Sequence, residues 1–289
     1  MKMIFSNGKR VMRFGMSAFI GLTMAACGTT YAVPDISAQS SDAARAMFSQ
    51  EAAIGLGGGS ASPRQASARF ERVIARIEPV AENFCRSQMA ATRPDYNCDI
   101  SIIVDTTMRD KNAYQTKAPN GTPIIAFSVP MLMDARNDDE IAFVLGHEYG
   151  HHIATHLEKA EKQAVAGALV LGALMAASQG YAASADPYRY TGKDQADIEN
   201  AMSLGAAVGN KAYSQTYELE ADVIATHVAR TAGFDAVKGA RYFARPENPH
   251  VQPGQLSFWG THPANDTRLA LVIETSAGID GKQGLRKIR

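Results

Sequence analysis

Apolar side chains recur at three- and four-residue intervals over Phe70, Val73, Ile74, Ile77, Val80, Ala81 and Phe84, which predicts an amphipathic helix. Ser62 followed by Pro63 is a start signal for it, an N-cap and then a proline at the first helical position. Pro79 should kink or restart this helix. Two runs rich in β-branched residues follow, Asp99 to Thr106 and Thr122 to Val129, the second preceded by the turn signal Pro119-Asn120-Gly121. Asn137 to Glu140 then resembles a capping box. It opens a helix through Ile141, Val144 and Leu145 whose pattern has no clear stop before Ala177. Ala164 to Ala177 is small and aliphatic but too short to span a bilayer; it reads as a helix packed closely on another, the alternative being a lid or membrane-touching hairpin. Residues 179–200 read as a polar loop leading into a helix over Ala201 to Ala232 that ends at Gly233. These elements predict an α+β fold, mainly helical, with a small sheet beside the helix that begins near Asn137.

The N-terminus changes the picture of where the chain works. Lys2, Lys9, Arg10 and Arg13 precede an apolar stretch from Phe14 to Ala26, the layout of an export signal. Met24-Ala25-Ala26-Cys27 resembles a bacterial lipobox, which would make Cys27 a lipidated first residue. By resemblance to sorted bacterial lipoproteins, Gly28 rather than Asp after that cysteine implies the outer membrane; the alternative is ordinary cleavage near Ala32 and a soluble periplasmic protein. Of the three cysteines, Cys85 and Cys98 then remain as a pair able to form a disulfide in an oxidising compartment. The expected organisation is a signal peptide over 1–26, a flexible tether over 27–62 with a short helix near Asp42 to Ile54, a main domain over 63–275 and a tail over 276–289. The 29 basic and 29 acidic residues balance, so no charge excess exists to hold nucleic acid.

The candidate chemistry lies in Leu145-Gly146-His147-Glu148-Tyr149-Gly150-His151-His152. At about 100° per residue, His147, Glu148 and His151 fall within an arc of roughly 100° on one helix face. Two imidazoles one turn apart can bind a single Zn²⁺, and the carboxylate beside them can act as general base on a water. His152 and His156 read as bystanders on a surface helix. His156 lies nine residues after His147 where the metzincin pattern needs ten, and Ala154 stands where that pattern needs Gly, so that subclass is excluded. A third ligand is required. Glu218 and Asp222 share a helix face, so Glu218 can ligate while Asp222 hydrogen-bonds the outer nitrogen of a ligand histidine. Glu220 and Glu199 compete with Glu218 on these grounds alone.

His147-Glu148-Tyr149-Gly150-His151, followed by Glu218-x-x-Ala221-Asp222, resembles the HtpX- and BepA-like zinc metallopeptidases. These form part of peptidase family forty-eight of the metallo class, which also holds the CAAX prenyl proteases. The resemblance covers roughly Ile102 to Leu271 and implies a zincin-like domain with one Zn²⁺ on His147, His151 and Glu218. It implies Glu148 as the catalytic base and Asp222 as a positioning or proton-donating residue. Asn112-Ala113 before a strand fits the same pattern, as does Thr261-His262-Pro263 with Arg268. By that analogy His262 is a fourth, inhibitory ligand or polarises the transition state, and Arg268 binds the oxyanion; alternatively both only pin the C-terminal segment. The chain is expected to depart from the family by lacking the membrane helices of HtpX and the CAAX proteases and a helical-repeat tail like that of BepA. Together with the lipobox, this points to a lipid-tethered periplasmic endopeptidase in which the strand near Pro123 to Val129 edges the cleft and pairs with an extended peptide, a mode of binding that suits unfolded or misassembled envelope proteins as substrates. The rival readings are a chaperone-like assembly factor with a latent site held shut by His262, and a structural zinc lipoprotein. A structural site needs four closed ligands, and Cys85 and Cys98 lie away from the motif.

Overall fold

A computed structural model of the chain describes residues 28–55, 61–185, 194–245, 262 and 266–288. Helix α1, Ala38–Ile54, is capped by Ser37, whose hydroxyl accepts from the Ser40 amide. Helix α2, Pro63–Met89, starts in a full capping box between Ser62 and Gln65 and runs without interruption through Pro79. Its buried row, Ala66, Phe70, Val73, Ile77, Ala81, Cys85 and Met89, follows the helical repeat and faces the core. Strands β1, Ser101–Asp105, β2, Ala113–Lys117, and β3, Pro123–Ser128, form a sheet in the order β1-β3-β2. β1 runs parallel to β3, and β2 is antiparallel to it through a short turn at Gly121, where φ is 86°. The short helix α3, Val129–Asp134, leads into α4, Asp138–Ile153, which carries the histidine motif.

Helix α4 is enclosed rather than amphipathic: apart from His151, every residue from Glu140 to Ile153 is buried. It packs against α2, against β2 and β3, and against α7, Ala236–Ala240. Its cap works differently from the simple box: the Asn137 side chain accepts from the Glu140 amide, while Glu140 accepts from the Arg136 amide, one residue before the cap. Ile141, Phe143 and Leu145 are fully buried here, and each such side chain contributes about 1.5–3 kcal/mol of apolar burial. The remaining elements are α5, His156–Ala185, α6, Asp194–Thr231, a 3₁₀ turn at Arg241–Ala244 and α8, Asp266–Asp280. Helix α6 ends as expected at Gly233, where φ is 79° and the Phe234 amide reaches back to the Ala229 carbonyl. Among the described residues no helix is long and apolar enough to cross a membrane.

Several sequence expectations change. The segment read as a flexible tether, 27–62, is folded over much of its length. The backbone amides of Thr30 and Tyr31 bond to Glu220, Tyr31 is buried and bridges Lys287, and α1 packs on α8. Buried Glu51 of α1 receives Arg136 at 2.5 Å and Arg241 at 2.8 Å. The tail read over 276–289 is likewise ordered, with α8 extending to Asp280. Strand β2 is additional to the two expected strands. β3 is the central strand, hydrogen-bonded on both sides, so it has no free edge for an extended peptide. The long helix expected to run on to Ala177 breaks at Thr155, which adopts a left-handed φ of 57° before α5 begins. A β-branched residue at positive φ is strained, and surrounding contacts must hold it there.

Residues 162–209 form a unit of their own, built from the later part of α5 and the earlier part of α6. Within it Gly172 meets the Met202 side chain so closely that a Cβ at 172 would come 2.6 Å from Met202 Cγ. Val165, Leu169, Val170 and Leu174 of α5 are exposed. The expectation of a closely packed helix therefore holds for one face of 164–177 and fails for these side chains.

Candidate metal centre

The histidine motif is brought to its partners by an unusually close helix contact. Gly146 and Gly150 of α4 face Ala221 and Ala225 of α6. A Cβ on Gly150 would lie 2.8 Å from the Ala221 carbonyl oxygen, and one on Gly146 would lie 3.3 Å from Ala225 Cα. Small residues four apart on both helices let the backbones touch, which sets Glu218 and Asp222 directly against His151 and His147. The Gly146/Gly150 and Ala221/Ala225 spacings are readable in the sequence and are the signal that motif analysis alone does not use.

His147, His151, Glu218 and His262 each offer one ligand atom, and these atoms all lie within 4.8 Å of one another. His151 Nε2 lies 2.9 Å from His147 Nε2 and 3.3 Å from Glu218 Oε1, and His147 Nε2 lies 3.3 Å from Glu218 Oε2. His262 Nδ1 is 2.8 Å from Glu218 Oε2 and 3.2 Å from His147 Nε2. Behind His147, its Nδ1 faces Asp222 Oδ1 at 2.9 Å, which keeps a proton on Nδ1 and turns Nε2 toward the cluster. Arg268 grips the same carboxylate through Nε at 2.7 Å and Nη2 at 2.8 Å, reaches Glu218 Oε2 at 3.2 Å, and lies over the Phe243 ring. Arg268 is buried and directs its fork at Asp222 and Glu218.

Charge and burial compete strongly here. Burial alone would lower His147, but the hydrogen bonds and charges of Asp222 and Glu218 hold it up at about 9 in the metal-free chain. Burial opposes ionisation of Glu218 and Asp222 too, yet His262 and Arg268 keep Glu218 well below the usual carboxylate range, and Arg268 keeps Asp222 low. Burial lowers His151. In the metal-free chain His151 is therefore neutral and Glu218 and Asp222 are ionised, whereas His147 keeps a second proton that a cation would have to displace on binding. A second observation fits a metal with a water beside it: Glu148 Oε1 is buried with no hydrogen-bond partner among the described residues. Three imidazoles and one carboxylate suit a borderline-soft divalent ion.

The other residues singled out from the sequence fall as follows. Glu220 is wholly buried but turned away from the cluster, accepting from His156 Nε2 at 2.9 Å, and Glu199 is exposed on α6 and outside the group. His152 and His156 are not surface bystanders. His152 is buried, with Nε2 at 2.7 Å from the Asn97 carbonyl and its ring against Tyr96; His156 is buried and stacked on Tyr217. A buried imidazole needs partners, and these come from distant segments that periodicity does not reveal. Asn112 is buried at the start of β2, its amide donating to Ser128 Oγ. Cys85 and Cys98 are joined by a disulfide with Cα atoms 5.8 Å apart. Cys27, Thr261 and Pro263 lie outside the described residues.

The sequence matches the family described as Peptidase family M48 over residues 67–276, a span that contains every residue of the cluster. No curated protein and no solved structure gives a significant match.

Proposed function

The chain belongs to peptidase family M48, a family of metallopeptidases, and from that premise we propose that it is a zinc-dependent endopeptidase of the bacterial cell envelope. The observation that carries the reading is the buried Glu148 Oε1, which has no hydrogen bond among the described residues and lies 3.5 Å from His262 Nε2, beside the convergent donors of His147, His151 and Glu218. A Zn²⁺ on those three residues supplies Lewis acidity, lowering the pKa of a water and polarising a carbonyl. Glu148 Oε1 accepts the proton of the water that attacks the scissile carbonyl, then delivers it to the nitrogen of the departing amine. Asp222 holds the His147 Nδ1 proton throughout, and Arg268 holds Asp222 in place. The substrates in this reading are unfolded or misassembled envelope proteins in extended conformation. Such a chain can add to the free edge of β2, which packs on α4 and pairs only with β3 among the described residues. Attachment to the membrane through lipidated Cys27, with Gly28 favouring the outer membrane, belongs to the same reading.

The test is cleavage of an unfolded reporter protein by the purified chain and by Glu148→Gln, with zinc content measured in both. Loss of at least about 100-fold in rate with zinc retained supports the assignment. Equal cleavage by both proteins would refute Glu148 as the base. Metabolic labelling with palmitate, lost in Cys27→Ala, checks the anchor.

His262 favours a second reading. Its Nδ1 lies 2.8 Å from Glu218 Oε2, close enough to complete a closed four-ligand site and hold the protein latent as an assembly factor. In that case His262→Ala raises proteolysis above wild type, whereas a drop in that variant supports a part in the reaction instead.

A further inference from the structure

Each of the two motif histidines has a buried carboxylate behind it, but only one touches its carboxylate directly. His147 Nδ1 meets Asp222. His151 Nδ1 meets instead the Nδ1 of His156 at 2.9 Å, and His156 Nε2 meets Glu220 Oε2 at 2.9 Å. The proton positions along this chain follow from one condition. With His151 Nε2 turned to the cluster as an acceptor, its proton sits on Nδ1 and is donated to His156 Nδ1. His156 then carries its own proton on Nε2 and donates it to Glu220. Every bond in the series has one donor and one acceptor, with no conflict at any atom.

The far end of the series is fastened. Glu220 Oε1 accepts the backbone amides of Thr30 at 2.5 Å and Tyr31 at 2.6 Å. Lys159 Nζ lies 3.8 Å from Oε2 and donates to Thr30 Oγ1 at 2.8 Å. His156 owes its position to the left-handed Thr155. In an unbroken helix a residue five positions after His151 would sit roughly 140° away around the axis, facing elsewhere. The break turns His156 back onto His151 and stacks it on Tyr217, ring centroids 4.3 Å apart.

We infer that His156 and Glu220 are positioning residues for the metal ligand His151, and that the N-terminal segment at Thr30 and Tyr31 is part of the metal site's support. The inference rests on the metal reading above and concerns a second support, independent of Asp222. Loss of such an outer partner weakens metal binding by about 10–100-fold in comparable sites.

The test measures zinc affinity of the full chain by chelator competition, together with the visible spectrum of the Co²⁺-substituted protein. His156→Phe keeps the stack on Tyr217 and removes both hydrogen bonds, and should bind zinc about 10–100-fold more weakly with an altered Co²⁺ spectrum. His156→Gln can accept from His151 and donate to Glu220, so it should recover most of the affinity. Glu220→Gln and Thr30→Pro, the second removing one amide donor, should weaken binding in the same direction and serve if His156→Phe fails to fold. Wild-type affinity in His156→Phe, or in both Glu220→Gln and Thr30→Pro, overturns the inference, as does a His156→Gln variant no better than His156→Phe. A wild-type chain that binds no zinc refutes the metal reading itself, and this inference with it.

Discussion

Gly150→Ala isolates the contact that assembles the metal centre. The added Cβ would stand 2.8 Å from the Ala221 oxygen and 2.9 Å from Ala221 Cα, both backbone atoms that cannot rotate away. Restoring a separation of about 3.5 Å requires α6 to withdraw by roughly 0.6 Å. Ala221 lies between Glu218 and Asp222, so both carboxylates withdraw with it. Metal sites tolerate ligand displacements of only about 0.2 Å, so the shift exceeds the tolerance about threefold. Overpacking of this kind costs about 1–3 kcal/mol. A cost of about 2 kcal/mol falling on the bound state corresponds to roughly 30-fold weaker zinc binding. Gly146→Ala is the internal comparison: its Cβ would lie 3.3 Å from Ala225 Cα, needing a shift of only a few tenths of an ångström. Chelator competition should rank the variants wild type, Gly146→Ala, Gly150→Ala, with the last far weaker. Wild-type affinity in Gly150→Ala, or a larger loss in Gly146→Ala, would refute the claim that this helix spacing sets the site.

Three further outcomes follow from other parts of the molecule. Burial against Tyr96 lowers His152 from an ordinary 6.5 to about 4, so the folded chain holds it neutral where the unfolded chain is protonated. Its contribution is complete above pH 6.5 and is lost as pH falls toward 4, about 3 kcal/mol in all. Urea midpoints at pH 7.5 and 5.0 should therefore converge in His152→Gln relative to wild type, and parallel losses in both proteins would count against it. Arg245 is buried between Asp134, at 3.0 Å, and Glu140. Arg245→Met leaves two buried carboxylates short of their cation and should cost about 3–5 kcal/mol in a thermal melt, with an unchanged midpoint as the contrary result. Opening the disulfide in Cys85→Ala/Cys98→Ala should cost about 3 kcal/mol, measured against wild type with and without reductant.

What the sequence made legible follows physical range. The start of α2, the Asn137 cap and the shared face of His147, Glu148 and His151 depend on residues within a turn or two of one another, and local chemistry specifies them. Glu218 and Asp222 are legible as a spaced pair, but not which of Glu218, Glu220 and Glu199 turns inward, because that depends on the helix contact at Gly150. Strand β2, with the sequence Ala-Tyr-Gln-Thr-Lys, carries almost no apolar alternation and exists through its pairing with β3. The stop at Thr155 has no Gly or Pro to announce it; tertiary contacts of His156 hold the turn. The stretch 28–54 looks like a polar linker because its burial involves Ser40, Ala44 and Glu51, small or charged residues whose partners lie far along the chain.

The fastening of Thr30 and Tyr31 would set how far a domain held at Cys27 could travel. A free segment from residue 27 to 62 would give a lipid-held domain a leash of roughly 120 Å at full extension. With the chain pinned at Thr30, only Gly28 and Thr29 separate it from Cys27, a leash of about 10 Å. A protein attached at Cys27 would thus search a thin shell against its own membrane rather than the depth of the compartment, and its targets would have to arrive at that surface.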